Sequence, residues 1–349
     1  MPPLCPNSYG FSMKLSLTLL FLLLPLSLLV GSISLSPAEV WNALYDPTSD
    51  PTARFIIVES RLPQMLAALL AGMALSVSGL VMQTLFGNPL ADPSLLGVNT
   101  GASLGAAIAM LAFGGSMACG ATSLSGIVLT VAASFAGALA VIALLGLCSH
   151  YLGGTLQLLV SGVMISFALS AVISLISFYA TADGIRSYIL WGMGDFSSVP
   201  LSFSGVFALL VLLPIAGVLL SAQPLNALLL GPDYARNLGI GVRAVRTRLL
   251  LLTGLLTATV TALCGPISFI GLAVPHIARL LLRSADHRRL LPVCMLLGAD
   301  VALLSLILQH LPGERGTLPL AAITPILGVP VVLHLSLIHI SEPTRRVVI

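Results

Sequence analysis

Charged residues are scarce in this 349-residue chain, and their scarcity excludes a soluble globular domain. Only 8% of the residues are Asp, Glu, Lys or Arg, whereas 57% are hydrophobic and the mean hydropathy is +1.07. A soluble domain carries about 25% charged residues. The net charge of +3 is too small and too dispersed to favour a nucleic-acid partner. The composition therefore predicts a polytopic membrane protein in contact with lipid.

Motifs for nucleotide hydrolysis and for metal binding are also missing from the sequence. No GxxxxGK segment followed by Ser or Thr occurs, so a loop that cradles ATP phosphates must lie on another chain. The five cysteines and six histidines show no metal-ligand spacing, and most of the cysteines lie in or beside apolar runs. We therefore expect no catalytic residue, metal site, cofactor or disulfide framework.

Ten long apolar runs dominate the rest of the chain. Spans of about 20 residues cross a bilayer, so the run at 270–282 is short and is expected to be tilted or sheltered by its neighbours. The first run has one lysine, Lys14, at its start and resembles either a signal peptide or a first helix. We interpret it as a helix, because no small-residue cleavage site precedes a soluble domain. The predicted fold class is all-α, with runs at 13–32, 62–84, 96–113, 123–147, 155–180, 200–222, 247–264, 270–282, 290–310 and 318–340.

Arginine placement predicts the orientation of these helices. With the N-terminus inside, the cytoplasmic segments hold most of the arginines, as the positive-inside rule requires. The inner group comprises Arg236, Arg243, Arg246, Arg248, Arg279, Arg283, Arg288 and Arg289, and the outer group comprises Arg54, Arg61, Arg186 and Arg315. The polar stretch Leu225 to Arg248 is therefore expected in the cytoplasm.

Within that stretch, glycines mark a short helix between Gly231 and Gly239. A helix of about seven residues is marginal in water unless something packs on it. Tyr234, Ala235 and Leu238 are predicted to share one side, which we interpret as a docking surface. The alternative is an amphipathic loop that lies on the lipid headgroups.

Small residues recur within the predicted helices at spacings that allow close helix approach. Such contacts are a main source of packing energy in membranes, so we interpret most of these residues as packing positions. They are Gly72, Ser76 and Gly79 in the second run, and Gly97, Gly101 and Gly105 in the third.

Asp300 is the most evident charge inside a predicted span. An intramembrane carboxylate is a functional candidate, such as a proton site. No intramembrane cation partner accompanies it, so we favour a hydrogen bond from Asp300 to a neighbouring helix or loop.

Four segments, in order, resemble the FecCD family: Arg61 to Gly105, Leu230 to Ile240, Gly265 to Leu281 and Leu318 to Val332. The resemblance covers roughly residues 36–334. Members are inner-membrane permease subunits of bacterial ABC importers for iron-siderophores, haem and vitamin B12. The resemblance implies a ten-helix fold like that of the vitamin B12 importer and a second permease subunit, in a homodimer or a heterodimer. It also implies an ATP-hydrolysing subunit and a substrate-binding protein.

The resemblance also implies site residues. The loop that docks on the ATP-hydrolysing subunit corresponds to Gly231, Asp233, Ala235, Arg236, Leu238 and Gly239. The translocation path draws on the fifth helix and the region between helices two and three, with Asn99 and Gly101 as candidates. His276 is interpreted as structural.

Arg61 is expected to dock the substrate-binding protein. The alternative is that Arg61 anchors its helix at the headgroups. Gln64 and Leu304 stand where family members often carry further arginines on the outer side. Arg61 is therefore expected to matter more here than in a member that retains all three.

The leading functional hypothesis is a permease that moves a bulky metal chelate from the periplasm or outer face to the cytoplasm, with an iron-siderophore as the expected cargo. An ion-coupled secondary transporter is the alternative. It would need paired intramembrane charges and an internal repeat, and neither is evident in the sequence.

Both ends of the sequence depart from this pattern. Residues 1–12 are patternless and are expected to be a misassigned extension, with the permease domain spanning 13–334. The segment LSLIHISEPTR within residues 335–349 resembles a translated sequencing adapter and is expected to be non-native.

Overall fold

The computed structural model describes residues 8–46, 50–112, 124–151, 155–313 and 316–341. Across these ranges the chain is helical and contains no strand, so the predicted all-α class is confirmed. Residues 1–7 of the predicted extension and 342–349 of the predicted tail lie outside the described residues. The remainder of the extension, Ser8 to Ser12, forms the start of the first helix.

The α-helices follow one another along the chain with short connections. They are α1 (Ser8–Leu29), α2 (Pro37–Tyr45), α3 (Pro51–Arg54), α4 (Leu62–Phe86), α5 (Val98–Ala107), α6 (Leu124–Tyr151), α7 (Thr155–Phe178), α8 (Ala182–Gly192), α9 (Leu201–Leu219), α10 (Ala222–Leu229), α11 (Pro232–Asn237), α12 (Val242–Cys264), α13 (Ile270–Leu282), α14 (His287–Gln309) and α15 (Leu320–Ser341).

Seven helices in the described ranges are long and apolar enough to cross a membrane. The apolar helices Val98–Leu111, Ile270–Leu282 and Leu320–Pro330 are shorter. Together they correspond to the ten predicted runs. π-helical turns at Phe55–Arg61 and Ile108–Ala112 extend α4 and α5.

Helix α4 forms the centre of the structure and packs on α9, α12, α13 and α14. A Cβ atom added at Gly72 would lie 2.1 Å from the Gly298 carbonyl oxygen of α14. One added at Gly79 would lie 1.8 Å from the Gly271 carbonyl oxygen of α13. Both distances are too short for real atoms, so only glycine permits these approaches. The packing role predicted for the small residues of α4 is confirmed.

Two short helices on the predicted outer side, α2 and α8, were not predicted as helices, although their caps are visible in the sequence. Ser36 and Glu39 form a capping box at the start of α2, in which the Ser36 N–H donates to Glu39 Oε2 at 2.7 Å. This backbone donor lowers the pKa of Glu39. The Thr181 hydroxyl likewise accepts from the Gly184 N–H at the start of α8. Short amphipathic helices in a polar stretch lack the long apolar run that identifies a span.

His276 joins α13 to the connector between α4 and α5. Its Nε2 lies 2.8 Å from the Pro89 carbonyl oxygen. In the same connector, Asp92 accepts from the Ser94 N–H and caps a 3-10 turn. The structural role predicted for His276 is confirmed, and the connector is a packed turn.

Candidate sites for energy coupling and substrate passage

The predicted coupling loop folds into α10 and α11, between α9 and α12. Gly231 (φ +109°) precedes α11 and Gly239 (φ +79°) follows it. The Gly239 N–H donates to the Arg236 carbonyl at 2.9 Å, and the Ile240 N–H donates to the Ala235 carbonyl at 3.1 Å. Glycine adopts this left-handed backbone at little cost. The predicted glycine cap is confirmed, and α11 has six residues.

The two sides of α11 differ from the prediction. Ala235 is buried against Ala227 and Val242, so it anchors α11 to the rest of the protein. Tyr234 and Leu238 are 48% and 59% exposed. The predicted common side for all three residues is therefore wrong, because the small Ala235 side chain fits the inner contact. The side chains of Tyr234 and Leu238 face away from the rest of the protein.

Asp233 and Arg236 form an ion pair one turn apart, with 2.7 Å between Arg236 Nη1 and Asp233 Oδ1. Both side chains are largely exposed. Exposed pairs of this kind contribute only about 0 to 1 kcal/mol. The pair therefore biases α11 towards a helix and leaves both groups within reach of a partner.

The Arg61 side chain points into the protein, towards the end of α1. Its Nη1 donates to the carbonyl oxygens of Leu28 (2.6 Å) and Leu29 (2.9 Å), and its Nη2 donates to that of Ile33. The side chain is 5% exposed. A Cβ at Gly31 would lie 2.6 Å from the guanidinium, so glycine is needed beside it. Arg61 thus caps the C-terminus of α1, and docking of the binding protein through Arg61 stays a prediction.

The two candidate path residues contact different helices. Asn99 Oδ1 accepts from the Thr261 hydroxyl of α12 at 2.8 Å. A Cβ at Gly101 would lie 2.5 Å from Val141 Cγ2 and 2.7 Å from the Gly137 carbonyl oxygen of α6. Gly101 is therefore a packing position, and Asn99 ties α5 to α12. Their role in substrate passage stays a prediction.

The predicted hydrogen bond from Asp300 to a neighbouring element is wrong for the described part of the chain. Both carboxyl oxygens are buried, and neither has a hydrogen-bond partner there. Asp300 lies within α14, and backbone N–H groups in the middle of a helix bond to carbonyl oxygens of the same helix, so they do not serve a neighbouring carboxylate. A buried carboxyl group without a partner is costly in its charged form.

A cavity of about 370 Å³ lies near the predicted outer ends of α5, α6, α8 and α12. Trp191, Asp195 and Cys264 are among its lining residues. This volume lies at the lower end of the range for pockets that take drug-sized molecules. A bulky chelate therefore needs a wider path than this cavity provides.

These features are those of an integral-membrane protein: long apolar helices around a tightly packed core, with a helical loop between α9 and α12 that is predicted to be cytoplasmic. Residues 19–337 match the FecCD transport family. The chain belongs to this family.

Individual relatives agree over nearly the whole chain. The vitamin B12 import system permease protein BtuC of Klebsiella pneumoniae is 38% identical over 330 residues, covering 94% of this chain and 92% of the relative. BtuC of Salmonella typhi is 38% identical over 325 residues, covering 93% of this chain and 94% of the relative. This chain also resembles a solved structure described as an inward-facing conformation of a metal-chelate type ABC transporter. The superposition covers 94% of this chain and 98% of the solved chain, with a TM-score of 0.79 and 30% sequence identity.

The chain is therefore the permease subunit of an ABC importer of the metal-chelate and vitamin B12 type, a multi-pass protein of the bacterial inner membrane. ATP hydrolysis belongs to a separate subunit, and a substrate-binding protein is the second partner. The secondary-transporter alternative is set aside by this membership.

Proposed function

We propose that the chain carries vitamin B12 from the periplasm to the cytoplasm. The observation that carries the proposal is the 38% identity to vitamin B12 permeases over 94% of the chain. Iron-siderophores, the cargo expected from the sequence, form the competing class of bulky chelate. Both are too large for the outer cavity of one chain.

A second permease subunit completes the path in this proposal. Helices α7 and α15 expose large apolar side chains, including Phe167, Phe178 and Ile326. Apolar faces of this kind are satisfied by lipid or by another subunit. A passage between two copies can be wider than the outer cavity of one chain, which fits a bulky cargo.

The exposed side of α11 is the proposed contact with the ATP-hydrolysing subunit. Tyr234 and Leu238 are apolar groups on a cytoplasmic helix, and Leu229 and Leu230 are exposed just before it. Apolar and aromatic anchors of this kind fill pockets at the centre of interfaces. Ala235 holds the helix in place from the other side.

The cargo is tested by uptake in cells that lack their own vitamin B12 permease. The chain is expressed there together with its cognate ATP-hydrolysing subunit and substrate-binding protein. Uptake of radiolabelled cyanocobalamin is expected, and excess unlabelled ferric siderophore should not compete. Uptake of a labelled ferric siderophore without cyanocobalamin uptake would overturn the proposed cargo.

Cross-linking tests the docking side of α11. Leu238→Cys should cross-link to a cysteine in the groove of the ATP-hydrolysing subunit, because Leu238 is exposed. Ala235→Cys is the matched control on the same helix and should remain unmodified, because Ala235 is buried. Equal cross-linking at both positions, or none at Leu238, would contradict this docking side.

A further inference from the structure

A polar cluster connects the coupling loop to the helices of the core. It consists of Asn226 on α10, Asp286 and His287 at the start of α14, and Thr84 near the inner end of α4. His287 is 1% exposed. Asn226 lies 60 residues from Asp286 along the chain, and Thr84 lies 203 residues from His287. The cluster therefore joins three elements that meet only in the folded protein.

Asn226 is the centre of the cluster. Its Nδ2 donates to Asp286 Oδ1 at 2.6 Å. Its Oδ1 accepts from the His287 backbone N–H at 2.8 Å and lies 2.8 Å from His287 Nδ1. One side chain therefore bonds to both residues that begin α14.

The directions of these bonds follow from the chemistry of the groups. Asn226 Oδ1 can only accept, so His287 Nδ1 carries a proton. In the neutral ring, His287 Nε2 then accepts from the Thr84 hydroxyl, 2.8 Å away, and the single proton of that hydroxyl is shared with the Leu80 carbonyl oxygen at 2.9 Å. The series runs without a break from α10 through the imidazole to α4.

Asp286 serves this cluster as a carboxylate. Partial burial opposes its charge, but hydrogen bonds from Asn226 and the Arg288 N–H outweigh burial and hold the pKa of Asp286 below its usual value. Asp286 is also the N-cap of α14. The Asn226 amide thus bonds to an ionised acceptor, and such bonds are about twice as strong as neutral ones.

We propose that Asn226 is a positioning residue that transmits movement of the coupling loop to α14 and α4. The proposal rests on the coupling role of α11 given above. Directional bonds to α14 and, through His287, to α4 resist sliding, whereas apolar contacts can slip past one another. Because α4 packs on α9, α12, α13 and α14, a displacement of α10 then reaches the core.

The test uses the complete transporter with both partners in proteoliposomes, with cyanocobalamin as the probe. The readout is the number of cobalamin molecules transported per ATP hydrolysed. Asn226→Leu keeps the size of the side chain and removes its bonds. The ratio should fall about tenfold, as expected when a hydrogen bond to a charged group is lost. Co-purification of the ATP-hydrolysing subunit and basal hydrolysis should remain near wild type.

Two further variants separate transmission from general damage. Gln223→Leu changes an exposed amide on the same helix and should keep the wild-type ratio. Asn226→Asp combined with Asp286→Asn exchanges the amide and the carboxylate, so a donor and an acceptor still face each other. This double variant should recover much of the ratio, whereas Asn226→Asp alone brings two carboxylates together and should not.

An unchanged ratio in Asn226→Leu would overturn the proposal. Loss of the ATP-hydrolysing subunit from that variant, with no recovery in the exchange variant, would also overturn it. Absence of cobalamin transport in the wild type would instead refute the proposed cargo. The ratio would then be measured with a ferric siderophore.

Discussion

Helices α4 and α7 have nearly equal hydropathy, but they occupy opposite environments. The mean hydropathy is 2.1 for the span that contains α4 and 2.3 for α7. Of the most apolar 18 residues, 83% are buried in the first and 6% in the second. Helix α4 has glycines at its contacts, whereas α7 exposes Phe167 and Phe178. Hydropathy therefore identifies a span, and small residues identify the span that lies at the centre.

The largest expected loss of folded protein follows from disrupting the packing of α4 against α13. Gly79→Val places a side chain where a Cβ already lies 1.8 Å from the Gly271 carbonyl oxygen. Overpacking of a tight core typically costs about 1–3 kcal/mol and sometimes more, and the backbone here cannot move aside easily. We expect little folded protein by size-exclusion chromatography in detergent. Gly205→Val, on the exposed side of α9, is the matched control, because nothing lies within 4 Å of its Cβ position. Equal yields for the two variants would contradict the conclusion that only glycine permits the close approach of α4 and α13.

The next effect concerns Arg61, which fastens peripheral α1 to the end of the central helix. Arg61→Leu removes three hydrogen bonds from a charged donor and should cost about 2–4 kcal/mol. The melting temperature of the purified complex should fall accordingly. Arg54→Leu is the control, since the Arg54 guanidinium makes one longer bond, 3.3 Å to the Asp46 carbonyl oxygen.

The same variant distinguishes the two roles of Arg61. If Arg61 instead docks the binding protein, Arg61→Leu will keep its thermal stability and lose stimulation of ATP hydrolysis by that protein. Arg61→Glu should then abolish the stimulation altogether. A full loss of stimulation at unchanged stability would contradict the capping role.

A smaller effect is expected at the end of α11. Gly239→Val imposes a left-handed backbone on a β-branched residue at a cost of about 1–2 kcal/mol. No atom lies within 4 Å of its Cβ position, so backbone strain is the cause. Co-purification of the ATP-hydrolysing subunit should weaken. Gly241→Val is the control, because Gly241 has φ −69°. Equal co-purification of the two variants would show that the cap is not needed.

The smallest effect is expected at Asp300. Asp300→Asn keeps the shape of a buried carboxyl group that has no partner in the described part of the chain. Stability should change by less than about 1 kcal/mol, and transport should persist. A loss of transport at unchanged stability would favour the proton-site interpretation of Asp300.

The sequence predicts the spans, the loop and the family, because long apolar runs, arginine bias and glycine positions are local signals. It does not predict α2 or α8, whose short amphipathic patterns lie within polar stretches. The inner position of Ala235 and the capping role of Arg61 depend on contacts between distant segments. Asn226 and His287 are 61 residues apart, so no local pattern relates them.

Uptake by purified components distinguishes an ATP-driven vitamin B12 importer from an ion-coupled transporter. Proteoliposomes that contain this chain and the ATP-hydrolysing subunit are supplied with the binding protein loaded with cyanocobalamin. We expect cobalamin accumulation that requires ATP and both partners and is unaffected by collapse of ion gradients. Accumulation that follows an ion gradient in the absence of ATP would contradict this expectation.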